Sequence, residues 1–227
     1  MADGARFLIR SVIHGRKNKM KYNGFYFWMF KWEMKKVLAE KYGREYAEDI
    51  MKKSKKVYRE LVEKADDIGD GNPMAYNELF ALAFVAPYVA AEKKIPPETV
   101  QEMMRRSLYH IKWYFAMTDL NTDKGKAENK KSVVKYAKWY TPEMEAKYPT
   151  SFKVDFVGQP HEGACYYRIT RCPICTYAKK LGVSELMPLF CEIDEVIITL
   201  QHGVLHRKQT IADGGEYCDY YITGDKE

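Results

Sequence analysis

The spacing of apolar residues changes once along this 227-residue chain, near residue 150, and that change limits the fold more than any other feature. Before it the spacing is helical. Tyr46, Ile50, Val57, Leu61 and Val62 recur about every 3.6 residues across 44–66, with Lys and Glu filling the other face, which predicts an amphipathic helix. Residues 73–93 are apolar nearly all round, as expected of a helix at the centre of a bundle, kinked or divided at Pro87. Pro96, Pro97 and Glu98 open a further helix expected to run to Met117, since Pro suits a first turn and Glu the positive end of the helix dipole. The stripe Phe25, Trp28, Met29 and Trp32 is expected in the bundle core, and His110 beside Trp113. Residues 121–131 read as a lysine-rich, solvent-exposed connector, followed by a short helical pattern with Val133, Val134, Tyr136 and Trp139.

After residue 150 the period is two. Phe152, Val154 and Phe156 alternate with Lys153 and Asp155 as in a half-buried strand, and 166–170 read as a second strand. Residues 173–181 read as a short helix ended by Gly182, and 206–212 with 216–222 as a hairpin turned at Asp213, Gly214 and Gly215. Helices first and antiparallel strands second predict an α+β fold. An N-terminal helical bundle over 1–150 should pack on a small C-terminal antiparallel sheet with a short helix over 151–227, the two parts forming one continuous domain.

Composition narrows the function. All five cysteines fall between Cys165 and Cys218, and residues 1–150 hold 29 Lys and Arg against 20 Asp and Glu, while 151–227 hold 8 against 11. Basic charge thus belongs to the helices and the thiols to a mildly acidic part. The modest positive excess reads as a solvated surface, so no nucleic-acid partner is expected. Charges at Asp3, Arg6 and Arg10 break every apolar run at the start, leaving no signal-peptide core, and the apolar stretches 25–30 and 79–91 fall short of the ~20 residues a span needs. A soluble, cytoplasmic protein with no membrane partner is expected. In that reducing compartment five cysteines argue against a disulfide framework and for metal binding or thiol chemistry.

Cys172-Pro173-Ile174-Cys175 can close two thiolates on one metal, with Cys165, Cys191, Cys218, His161 and Asp194 as further candidate ligands. No second such motif exists for a zinc ribbon, and the βαβ context of a thioredoxin is missing. Three readings stay open: a zinc held by Cys172, Cys175, Cys191 and Cys218, a catalytic thiol, or buried cysteines with no chemistry. Cys191 and Asp194 lie three apart, on one face if the segment is helical, which puts a proton carrier beside a nucleophile; a buried thiol next to a capping Asp is the alternative. Arg207 on the hairpin is a fork for a substrate carboxylate, or a surface cation paired across the hairpin. His161, His202 and His206 are general-base candidates without diagnostic spacing. Phosphate-cradling, dinucleotide and Gly-x-Ser-x-Gly motifs are missing.

In chain order, Thr170-Arg171-Cys172, Leu181-Gly182, Glu185-Leu186, Leu189-Phe190-Cys191-Glu192-Ile193-Asp194, Arg207-Lys208-Gln209-Thr210-Ile211 and the run from Gly214 to Cys218-Asp219-Tyr220 resemble the L-2-amino-thiazoline-4-carboxylic acid hydrolase family. The resemblance spans the last third of the chain strongly and the helical part in length and character. It implies a hydrolase that adds water to the ring carbon between nitrogen, sulfur and amino group, yielding a carbamoyl-cysteine. It further implies Cys191 or Cys218 as the thiol that attacks or orients, Cys172 in the same set, Asp194 and Asp219 as acid/base groups, and Arg207 as the carboxylate anchor, with Thr210 and His206 also binding substrate. The implied partner is a small molecule bearing a carboxylate; no cofactor is required, with zinc as the alternative, and a homo-oligomer stays open. A helical part followed by a sheet ending in a Gly-x-x-x-Cys hairpin also resembles the small-molecule-binding domains named after vinyl reductases, and a zinc-stabilised interaction module is a third reading.

Overall fold

The computed structural model describes Tyr22 and residues 24–156 and 165–227. Helices α1 (Phe25–Tyr42) and α2 (Arg44–Lys64) turn on Gly43, and α3 (Ala75–Ala90) and α4 (Pro97–His110) complete a bundle. Along α2 the buried side chains Ala47, Ile50, Ser54, Tyr58, Leu61 and Val62 follow one stripe, while the lysines and glutamates between them stay outside. The central helix α3 buries eleven of its residues, including Leu82, Phe84, Val85 and Tyr88, each aliphatic or aromatic side chain worth roughly 1.5–3 kcal/mol against exposure. Pro87 does not divide α3. It sits one turn from the end, and the carbonyl its ring leaves without an amide is that of Ala83, one turn further back.

Several expectations are corrected. The helix from Pro97 breaks at Ile111 and resumes as the single turn α5 (Lys112–Phe115), short of Met117. Residues 121–131 are not a connector but belong to α6 (Asp123–Trp139), capped by Thr122, whose Oγ1 accepts from the Gly125 amide at 3.0 Å. Gly125 is required there: a Cβ would stand 1.8 Å from the Asp119 carbonyl oxygen. Only Gly125, Val133 and Tyr136 of α6 are buried, so its apolar stripe is too narrow to show among six lysines. In α1, Phe27, Phe30, Met34, Val37 and Leu38 face the core, whereas Trp28 and Trp32 are 64% and 66% exposed. His110 points to Glu33, its Nδ1 3.4 Å from Oε1.

Past α7 (Pro142–Lys147), strands β1 (Lys153–Asp155), β2 (Cys165–Arg171), β3 (Gly203–His206) and β4 (Cys218–Gly224) form one antiparallel sheet in the order β1-β2-β4-β3. Helix α8 (Pro173–Leu181) ends before Gly182 as expected, and a 3-10 turn leads into α9 (Met187–Leu200). The hairpin is real but its strands are shorter and shifted: β3 ends at His206, paired with Tyr221, and 207–217 form a long loop instead of a tight turn. Two apolar cores result. One fills the bundle and takes in Tyr177, Leu186 and Ile193 from after residue 150; the other backs the sheet and takes in Leu120, Val133 and Tyr136 from before it. Among the described residues, no helix is long and apolar enough to cross a membrane.

Candidate functional site

Helix α9 places Cys191 and Asp194 one turn apart on one face, as their spacing allowed. Opposite them, strand alternation on β4 puts Cys218 and Tyr220 on the inner face of the sheet and Asp219 on the outer. Tyr220 stacks on its cross-strand partner Tyr167 at 4.6 Å, and its hydroxyl donates to Asp194 Oδ2 at 2.8 Å. Arg207, the first residue of the long loop, turns inward over the Tyr220 ring at 4.6 Å. Its Nη2 donates to the same Asp194 oxygen at 2.8 Å and its Nη1 to the Cys191 carbonyl at 2.9 Å. The side chain is 7% exposed, and its buried Nε has no hydrogen-bond partner among the described residues. Burial alone would weaken the hold of the guanidinium on its proton; Asp194 and Tyr220 beside it reverse the sign and tighten it. Arg207 is therefore neither exposed nor paired across the hairpin.

The thiols of Cys191 and Cys218 face each other across the gap between α9 and β4. Their mutual hydrogen bond, more than burial or the Asp194 charge, pushes Cys191 up, and the same bond pulls Cys218 down against its burial. The Ile211 amide adds to this by donating to Cys218 Sγ at 3.2 Å, with the Arg207 charge nearby. Cys218 is thus the sulfur of the pair on which negative charge settles first. Cys172 and Cys175 form a second pair, in which the bond to Cys175, with burial, raises Cys172. All five cysteines are free. Among the described residues, no three His, Cys, Asp or Glu side chains are arranged to hold a metal ion, so Cys172, Cys175, Cys191 and Cys218 do not converge as one ligand set.

The loop 207–217 is stitched to β4. The Asp219 carboxylate accepts from the Lys208 amide at 3.0 and 3.1 Å and from the Gln209 amide at 3.0 Å. Thr210 is buried, donates to Asp213 Oδ2 at 2.6 Å and accepts from the Asp213 amide at 3.1 Å. Gly215 passes so close to Gln209 and Thr210 that a Cβ would stand 2.6 Å from Gln209 Oε1. His206 lies outside this group: it is exposed, packs on Tyr221 at 4.9 Å and meets Thr223 Oγ1 at 3.1 Å. His202 is exposed near Asp225, and His161 lies outside the described residues.

Between α9 and the loop opens a cleft of about 210 Å³. That is below the ~300–1,000 Å³ of pockets for drug-sized ligands, so it suits a compact molecule. Cys191, Arg207 and Thr210 line it, with Glu192, Glu195, Lys208 and Asp213, which sequence reasoning had not singled out. Glu195 could have been found, lying on the same helical turns as Cys191 and Asp194; Asp213 hid in what read as turn chemistry. Cys218 lies behind Cys191, buried. The arrangement offers a thiol at the wall, a more acidic thiol behind it, and both signs of charge around a small volume.

No curated protein and no solved structure matches the chain. Residues 76–222 match the family model for L-2-amino-thiazoline-4-carboxylic acid hydrolase, a span that takes in both thiol pairs, Asp194, Arg207 and the stitched loop, and the chain belongs to that family.

Proposed function

We propose that the protein is a hydrolase that opens a small five-membered ring carrying a carboxylate, L-2-amino-thiazoline-4-carboxylate by its family, to a carbamoyl-cysteine. The observation that carries this reading is the thiol pair: Cys191 lines the cleft and Cys218, the more acidic sulfur, stands behind it. Cys191 attacks the ring carbon bound to nitrogen, sulfur and the amino group, and its proton passes to Cys218. The carbon–sulfur bond of the ring breaks, and the departing sulfur takes that proton. Water then adds to the carbon now joined to Cys191, the bond to Cys191 breaks, and the product leaves with the oxygen of the water. One proton of the water ends on the former ring nitrogen and the other returns to Cys191, so the thiol pair is restored.

The other groups sort by position. Arg207 and Lys208 make one wall positive for the substrate carboxylate. Glu192, Glu195 and Asp213 face the amidine end, where positive charge is held. Asp194 positions Arg207 and Tyr220, and Asp219 holds the loop; neither carboxylate needs to move a proton in this scheme. Cys172, His206 and Thr210 take no chemical step in it. The test is to incubate the purified protein with L-2-amino-thiazoline-4-carboxylate and follow product by mass spectrometry. Turnover that is lost in Cys191→Ser and in Cys218→Ser supports the reading; a wild-type protein without turnover, or a Cys191→Ser variant at full rate, overturns it.

A further inference from the structure

Large aromatic side chains crowd one end of the bundle without being buried. Trp28 and Trp32 stand one turn apart on α1, and Trp113 and Tyr114 on α5 are 65% and 59% exposed, followed by Met117 at 76%. The two groups are neighbours: Glu33, next to Trp32, meets His110, one turn before Trp113, and Tyr26 lies within electrostatic reach of both Tyr114 and Tyr76. Tyr76 in turn meets Ser132 on α6 at 3.2 Å. Exposed aromatics gathered at one end of a bundle mark an interaction site.

Charge around it is mostly positive. No acidic residue occurs in 22–32 or in 109–118, which contribute Lys31 and Lys112. Helix α6, joined through Tyr76, carries six lysines against two acids, with Lys124, Lys131, Lys135 and Lys138 exposed. A second copy docking face to face would set these like charges against one another, which disfavours a self-complementary dimer. Tryptophan and tyrosine prefer the headgroup level of a bilayer, and clustered lysines draw a protein to anionic lipid. We propose that the surface around Trp28, Trp32, Trp113, Tyr114 and Met117 docks the protein peripherally on an anionic lipid bilayer.

The full chain should be sedimented with vesicles of phosphatidylcholine, with and without phosphatidylserine. The expected result is binding to the anionic vesicles, a blue shift of tryptophan emission, and loss of binding as salt rises. Trp28→Ala with Trp113→Ala should lower binding about tenfold, on the scale of two buried anchors, and Lys131→Gln and Lys135→Gln about fivefold per charge, with unchanged circular-dichroism melts showing that the variants fold. Equal binding to both vesicle types, no binding to either, retention only on a single-stranded oligonucleotide, or a dimer dissolved by the tryptophan variants would each overturn the proposal.

Discussion

Glu78 sits inside α3 with no exposed surface, and neither carboxyl oxygen has a hydrogen-bond partner among the described residues. Burial pushes its pKa from the ordinary 4.5 to about 8, with Asp66 adding slightly and Lys180 opposing. In the unfolded chain the carboxyl releases its proton above about pH 4.5, whereas the folded protein keeps it to about pH 8, so folding takes up a proton between those values. The stability tied to this proton is fully present below pH 4.5 and is lost as the pH rises through 8. At about 1.4 kcal/mol per unit, roughly 3 kcal/mol is gone by pH 7 and roughly 5 by pH 8. Glu78→Gln removes the titration while keeping the shape; Glu78→Met also removes the buried polar atoms. Urea unfolding of the three proteins from pH 5 to pH 9 reads the effect. Wild type should fall relative to Glu78→Gln by about 1.4 kcal/mol per unit up to pH 8 and then run parallel, with Glu78→Met the most stable at pH 8. A wild-type minus Gln difference that stays constant across this range would show that Glu78 ionises as an ordinary carboxyl and would refute the reasoning.

Asp194→Asn should destabilise the protein by about 3 kcal/mol, because it strands a buried guanidinium, whereas Asp194→Leu with Arg207→Met should recover much of that; thermal unfolding compares them. Asp219→Ala leaves the Lys208 and Gln209 amides without their acceptor and should cost about 2 kcal/mol, with limited proteolysis appearing first within 207–217. Cys191→Ala removes the hydrogen bond that most favours the Cys218 thiolate, so the ultraviolet signal of that thiolate should titrate at higher pH than in wild type. An unshifted titration would separate the two sulfurs.

The α+β order was legible because periodicity is written in runs of residues: α2, and the stretch 152–156 that holds β1 at its centre, each carry enough apolar positions to show their period. Helix α6 was not, since a helix that buries only two apolar side chains and a glycine looks like its lysines. The direction of α1 was misread for a related reason. Phe25, Trp28 and Trp32 share a face, but so do Phe27, Phe30, Met34 and Leu38, and hydrophobicity alone does not rank two apolar faces. At the site, the helical spacing of Cys191 and Asp194 carried over directly, while the inward turn of Arg207 depends on β3 ending at His206, a boundary set by pairing with β4 rather than by any local residue.

The hydrogen bond from the Ile211 amide to Cys218 joins two properties in one atom. The more acidic sulfur of the thiol pair is also a peg on which the loop hangs, and that loop supplies Lys208, Thr210 and Asp213 to the cleft. A thiolate accepts such a bond more strongly than a thiol. Each proton gained or lost at Cys218 is therefore felt as a slackening or tightening of the cleft wall, and the ionisation of the pair and the shape offered to a ligand rise and fall together.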